Sequence, residues 1–591
     1  MLAGSIRNSF RSPNVSRLNS LVSINRLYAH RITHPKVAPP TLGLPRQRST
    51  MITPSINTGA PSPALFSYSS GRYLYNEKLR FEERHVQFKV NALKEIAASA
   101  VGRKQVVHLE KLAEGGFNRV FVLTMDDGLE VIAKIPYPLT VPKTYTTESE
   151  AATLEFLRLK GIPVPRVYTY SSTSENTVGT EYIIMEKAPG QPLERRWFDL
   201  SPKERVRLVT SFVQIELKLF SIPFASYGSL YYKDSLPQDL RADLYNTAPG
   251  EEENRFCIGP SADYMFWRGK RALLDLDRGP WKDHRDYVRS VGQRELEWTI
   301  RYGRPRQNDF PHNTIVKGEI SPDAYADLLR KYVSMSPHIL PGDRENPMNH
   351  ATMRHPDLNP SNVFITDSCE VSCIIDWQHC SILPLLLAAG NPPLFENPDA
   401  EPPKGLVKPS LPENYDSLTP EEKSQADELH RRRMLFYLYM VFNGRDNKAH
   451  LRALRYPLLA MRQHAVERAD RQWSGNVITL KGALVRLLEN WDQLIADSPQ
   501  QVECPISFDK KDVEEFLVVE DQWFKATILL EHWRSILDGL GQDGWVRHES
   551  YAQVVETNKM LKEEWISQAE DEEDYESVDK FWPFQDHEED D

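Results

Sequence analysis

The chain has 591 residues, 40% of them apolar and 10% aromatic, which is enough to bury a large core and too many for one small domain. Its formal net charge is −11, which excludes a general nucleic-acid binder whose affinity rests on neutralising phosphates. Five cysteines at irregular spacing exclude a disulfide framework.

From Met1 to Asn76 there is no Asp or Glu, while Arg7, Arg11, Arg17, Arg26, Arg31, Arg46 and Arg48 recur among Ser and Asn. That is the composition of a mitochondrial transit peptide and leader, expected over residues 1–60, with a cut after Tyr28 in Arg26-Leu27-Tyr28-Ala29. The expected location is mitochondrial. No apolar run approaches the roughly 18 residues of a membrane span, so no transmembrane segment is expected. Residues 61–105 are expected to be an N-terminal extension packed on the first lobe.

From Val106 short β-rich runs begin: Val106 to Leu112, Arg119 to Met125, and Leu129 to Ile135. The last two are joined through Asp126-Asp127-Gly128, a hairpin signal. Thr147 to Lys160 reads as a helix with Ala151, Leu154 and Leu157 at helical spacing, stopped by Gly161 and Pro163. Arg166 to Ser171 and Glu181 to Met185 supply two more strands. Residues 106–188 thus form a small antiparallel-sheet lobe.

Ser201, Pro202 and Glu204 make a capped helix start, and a larger, mainly helical lobe follows over residues 189–569. Between Tyr231 and Pro311 lies an apolar, Trp- and Arg-rich stretch, read as an ordered insertion on this lobe, whose aromatics are core rather than a ligand box. Pro392 to Pro420 reads as a surface loop, His430 to Arg433 as a solvated helix face, and residues 570–591 as an acidic, solvated tail. The fold class is therefore α+β and bilobal.

The strongest chemical signal is His355-Pro356-Asp357-Leu358-Asn359-Pro360-Ser361-Asn362, followed by Cys373-Ile374-Ile375-Asp376-Trp377. Phosphoryl transfer needs a carboxylate to orient the substrate hydroxyl, and oxygen ligands to hold Mg²⁺ across phosphates. Asp357 suits the first role, and Asn362 and Asp376 the second. His355 is read as a structural hydrogen-bonding residue of the same loop. Cys369, Cys373, His379 and Cys380 cluster but lack paired C-x-x-C knuckles, so buried thiols are expected rather than zinc.

Upstream, Gly115 and Gly116, with Asn118, sit between the first two strands, where a glycine turn lets amides approach phosphate. Lys134, at the end of the third apolar strand, is placed to reach the α- and β-phosphates. Glu148 and Glu150 are the candidates to pair with it, and Glu150 is chosen because it shares the apolar face of Leu154 and Leu157. A capping box of Thr147 with Glu150 is the competing reading.

The order strand, H-x-D-x-x-x-x-N, two strands, D resembles the catalytic core of the protein-kinase-like superfamily. The HPDL and IIDW forms are similar to its aminoglycoside and choline phosphotransferase branch. The resemblance implies ATP and Mg²⁺ as cofactors and an adenine-contacting hinge at Met185 to Ala188, including Glu186 and Ala188. Tyr68 to Ala98, the basic leader and Ile258 to Trp281 look like the fungal altered inheritance of mitochondria protein 9 family, which implies a mitochondrial location. Trp377 and Gln378 replace the Phe-Gly of protein kinases and no A-P-E segment follows, so a small molecule is the expected acceptor. The expected function is phosphorylation of a hydroxyl on that molecule. The alternatives are a nucleotide-binding scaffold with a role in mitochondrial maintenance, and adenylyl transfer.

Overall fold

The extension preceding the first lobe supplies a short strand, Arg72–Tyr73 (β1), and two helices, Glu77–Glu83 (α1) and Val90–Ala100 (α2). The computed structural model describes residues 63–246, 251–399, 405–497 and 502–589, so the leader expected at 1–60 lies outside the described residues. Val106–Glu114 (β2), Asn118–Met125 (β3), Glu130–Pro136 (β4), Val167–Ser171 (β5) and Tyr182–Glu186 (β6) form one antiparallel sheet in the order β2-β3-β4-β6-β5. Helix Tyr145–Leu159 (α3) lies between β4 and β5 in the chain. The β3–β4 turn needs a left-handed residue, and Gly128 supplies it at φ 86°.

β3 and β4 are buried almost throughout, and this explains why they read as continuous apolar runs rather than alternating ones. Phe88, Val90, Leu93 and Ala97 of the extension pack with Phe121, Leu123, Val131 and Ala133 of these strands. The extension is thereby part of the small-lobe core. It also reaches the far end of the chain, because β1 pairs antiparallel with Trp545–Val546 (β14).

After Gln191–Pro192 (β7), the large lobe opens with helix Pro202–Phe220 (α4). Its capping box is complete: Glu204 N donates to Ser201 Oγ and Ser201 N to Glu204 Oε2. The described residues of the insertion form the antiparallel pair Ser229–Tyr232 (β8) and Phe256–Gly259 (β9), followed by helix His284–Tyr302 (α5), which packs on Pro322–Ile339 (α6). Phe266, Trp281 and Trp298 join the main core.

Two short ladders then frame the site. Ala351–Met353 (β10) pairs with Ile382–Pro384 (β13), and Val363–Ile365 (β11) pairs with Val371–Ile374 (β12) and β7. Gly190, at φ 92°, lets the segment between the lobes touch the β11–β12 hairpin: a Cβ there would meet Ile365 O at 2.4 Å. Helix Pro420–Asp446 (α7), again with a complete capping box, packs on α4.

Three surface readings are corrected by the structure. Within the proline-rich loop, Leu394 and Phe395 are buried, Phe395 stacking on Tyr439. In the run His430 to Arg433, Arg431 is buried, paired with Glu428 and lying over the Trp197 ring, because helix α7 turns that position inward. The acidic end is folded: Glu572–Asp579 is a helix, and Val578, Trp582 and Phe584 are buried with Phe310, Trp533 and Trp565. Apolar side chains at these few positions find a partner surface made by distant segments, which outweighs the local charge density. Among the described residues no helix is long and apolar enough to cross a membrane.

Candidate functional site

Strand β4 carries Lys134 into the cleft between the lobes, where it is 5% exposed. Its Nζ donates to Glu150 Oε1 and Oε2 at 2.7 and 2.8 Å, and to Asp376 Oδ1 at 2.7 Å. Helical geometry decides between the two glutamates. Glu150 faces the cleft, whereas Glu148 accepts from Ser172 Oγ at 2.8 Å on another side of α3. Thr147 donates to Glu181 at 2.6 Å, so Glu150 is taken by Lys134 rather than by a capping box.

The charges follow from this geometry. Burial pushes the Lys134 pKa down, but Asp376 and Glu150 outweigh it and hold it above the usual lysine range. Burial raises Glu150, with Lys134 opposing. Burial also pushes Asp376 up, yet the charge and hydrogen bond of Lys134 bring it below the usual carboxylate range. Two carboxylates within 2.8 Å of one ammonium keep Lys134 ionised. The Asp376 side chain remains 45% exposed, and its backbone sits at φ 66°, a left-handed strain of the kind held in place at functional sites.

The loop between β10 and β11 brings Asp357 and Asn362 alongside. His355 organises it: Asp357 N donates to Nδ1 at 3.0 Å, and Nε2 lies 2.8 Å from Ile375 O. Because Nδ1 accepts, the proton resides on Nε2 and is donated to Ile375, next to Asp376. Asn362 Nδ2 donates to Asp357 O at 2.9 Å, and Ile375 N to Asn362 O at 3.0 Å. Asp357, Asn362 and Asp376 are thus linked through one continuous set of bonds, which Lys134 and Glu150 extend into the small lobe.

Trp377 shows what replaces the Phe of the protein-kinase pattern. It is fully buried, donates Nε1 to Ile374 O at 3.0 Å, and packs edge-on against His355 with centroids 4.7 Å apart. Gly115 N donates to Asn118 O at 2.9 Å, closing a tight turn. A Cβ on Gly116 would meet no atom within 4 Å, so packing does not explain glycine there. Asn118 Nδ2 donates to Gln378 Oε1, which ties this turn to the segment after Asp376. Glu186 N donates to Arg166 O at 2.8 Å, and its carboxylate lies near Arg158 at the outer end of β6. Ala188 follows at the crossing between the lobes, half-buried.

Two contributors escaped the sequence reading. Asn359 donates Nδ2 to Asp357 Oδ2 at 2.8 Å and accepts from Ser361 N at 2.9 Å, so it aims the Asp357 carboxylate. Its spacing two residues after an Asp was visible, but a Leu-Asn-Pro turn is common. Gln378 could not be linked to Asn118 across 260 residues from sequence. Cys369, Cys373 and Cys380 are buried, and burial pushes the Cys373 and Cys380 thiols up to about 12.

These lobes and this cleft define a chain of the kinase-like phosphotransferase class. The model of the phosphotransferase enzyme family matches residues 108–277, which include the glycine turn, Lys134 and Glu150. The chain belongs to the family of a subtelomeric hrmA-associated cluster protein of Aspergillus fumigatus, to which it is 32% identical over 517 residues, covering 81% of this chain and 97% of that one. An altered inheritance of mitochondria protein 9 of Candida tropicalis is 26% identical over 498 residues, covering 73% of this chain and 77% of that protein. Among solved structures, a thermostable mutant of an aminoglycoside phosphotransferase is 14% identical with a TM-score of 0.32, covering 69% of this chain and all of that one.

Proposed function

We propose that this protein is an ATP- and Mg²⁺-dependent kinase that phosphorylates a hydroxyl of a small molecule in mitochondria. The observation that carries the reading is Lys134 held between Glu150 and Asp376, with Asp376 joined through Ile375 to His355, Asp357 and Asn362. A full set of polar groups for phosphoryl transfer converges on one cleft.

Each residue then has a role set by its chemistry. Lys134 offers its ammonium to phosphate oxygens, and Glu150 fixes where that ammonium points. Gly115 and Gly116 leave room for backbone amides to approach phosphate, and the segment from Met185 to Ala188, including Glu186, borders the base. Asp357, aimed by Asn359, orients the acceptor hydroxyl and takes its proton. The oxygens of Asn362 and Asp376 fit Mg²⁺, a hard cation that needs few protein ligands and would neutralise charge across the phosphates. The mitochondrial location is supported by the basic leader and by the name of the Candida tropicalis relative.

Incubation of the purified protein with ATP, Mg²⁺ and a mitochondrial metabolite extract tests the reading. The wild type should yield a phosphorylated product that Asp357→Ala does not. Identical product spectra for both proteins would contradict it.

A further inference from the structure

The turn after the glycine pair is held by residues from three separated parts of the chain. The Phe117 ring lies edge-on to His379 with centroids 4.9 Å apart, and 5.2 Å from the ring of Tyr264 in the insertion. Tyr264 and His379 are themselves 5.9 Å apart, so the three rings form one cluster. The Phe117 carbonyl is also committed, accepting from Tyr137 N at 2.9 Å and Thr140 Oγ1 at 2.5 Å.

Tyr264 is held in register with the segment after Asp376. Ser229 Oγ donates to Cys380 O at 2.9 Å and accepts from Ala262 N at 2.9 Å, two residues before Tyr264. Asp263 caps the short turn that carries Tyr264, accepting from Met265 N at 2.8 Å, and Trp267 Nε1 donates to Ser261 O at 2.7 Å. His379 is fixed by Val141 O, 2.9 Å from its Nε2. The insertion therefore presents a ring to the side chain that follows two exposed glycines.

A glycine pair has many backbone conformations to lose, and fixing its neighbour before a ligand arrives lowers the entropic cost of binding. We propose that Tyr264 is a positioning residue: its ring holds Phe117 so that the turn, closed by Gly115 N on Asn118 O, presets the Gly116 amide for the phosphates of a nucleoside triphosphate. This rests on the phosphotransferase reading above, and assigns the insertion a part in nucleotide affinity without contact to the nucleotide.

The test is calorimetric titration of the full chain with Mg²⁺ and AMP-PNP, comparing wild type, Tyr264→Ala and Tyr264→Phe, with the thermal midpoint of each. Loss of one aromatic contact should weaken binding by about threefold to tenfold in Tyr264→Ala. Tyr264→Phe should bind as the wild type does, because the contacts are made by the ring. In turnover assays the ATP KM should rise more than kcat falls. If Tyr264→Ala does not fold, Phe117→Leu removes the same contact from the loop side and should show the same weakening. Wild-type affinity in Tyr264→Ala or Phe117→Leu, or equal weakening in Tyr264→Phe, would overturn this proposal alone. Absence of binding by the wild type would remove the phosphotransferase reading with it.

Discussion

The backbone amide of Asp357 donates to Nδ1 of His355 at 3.0 Å, so the imidazole that precedes the loop carboxylate serves as its anchor. The same ring passes its other nitrogen to Ile375 O at 2.8 Å and rests against Trp377. His355→Ala should therefore release two strands of the site at once. Turnover is expected to fall by about 10²-fold, the scale for misplacing a reacting group by roughly an ångström. Nucleotide affinity should fall by less than turnover does, because Asp376, which follows Ile375, is still held by Lys134, and comparing kcat with the AMP-PNP dissociation constant checks this.

Lys134 and Glu150 form a pair that is almost entirely out of water. Removing Lys134 leaves Glu150 buried and unpaired, at a cost of about 3 kcal/mol, whereas removing Glu150 leaves Lys134 with Asp376 and should cost less. Lys134→Ala and Glu150→Ala should each lower the urea midpoint, and the double variant should recover part of the loss. A double-mutant cycle with additive effects would contradict the pairing.

His312 gives a pH dependence with a definite sign. Its ring lies tilted against Trp523 with centroids 4.0 Å apart, and burial lowers its pKa from the ordinary 6.5 to about 4. Between those values the unfolded chain binds the proton and the folded chain does not, so stability rises with pH. The contribution is fully present above pH 6.5 and lost as the pH falls through 4, an amount of about 3 kcal/mol. Urea titrations of wild type and His312→Gln across this range should show a shallower slope in the variant.

Trp582 lies at the acidic end yet is 2% exposed, 5.1 Å from Trp533 and hydrogen-bonded to Asn558 Oδ1 at 2.8 Å. Trp582→Ala should cost about 4 kcal/mol, as for large aromatics cut from a core. A thermal midpoint equal to that of the wild type would show that this segment does not support the fold.

The small-lobe strands were legible because their apolar runs are bounded by turn residues, and the loop motif because its residues lie close together in sequence. Helical periodicity pointed to Glu150 through the face it shares with Leu154 and Leu157, and the structure pairs it with Lys134, although Glu148 is buried on the same helix as well. What was hidden depends on long-range packing. Nothing local marks Tyr264 as the neighbour of Phe117, or Gln378 as the acceptor for Asn118. The acidic end was misread for a related reason: its charge is local, but the surface that receives Trp582 is assembled from Phe310, Trp533 and Trp565. Arg431 likewise reads as solvated until Trp197 and Glu428 close around it.

In the proposed kinase, Asp357 acts on the acceptor while Lys134, Asn362 and Asp376 serve the nucleotide. The most direct measurement determines AMP-PNP affinity and phosphoryl transfer side by side in Asp357→Ala. Affinity should stay within about threefold of wild type while transfer falls by at least about 10²-fold, the scale of a positioned general base. Transfer at the wild-type rate in a variant that still binds nucleotide would contradict it.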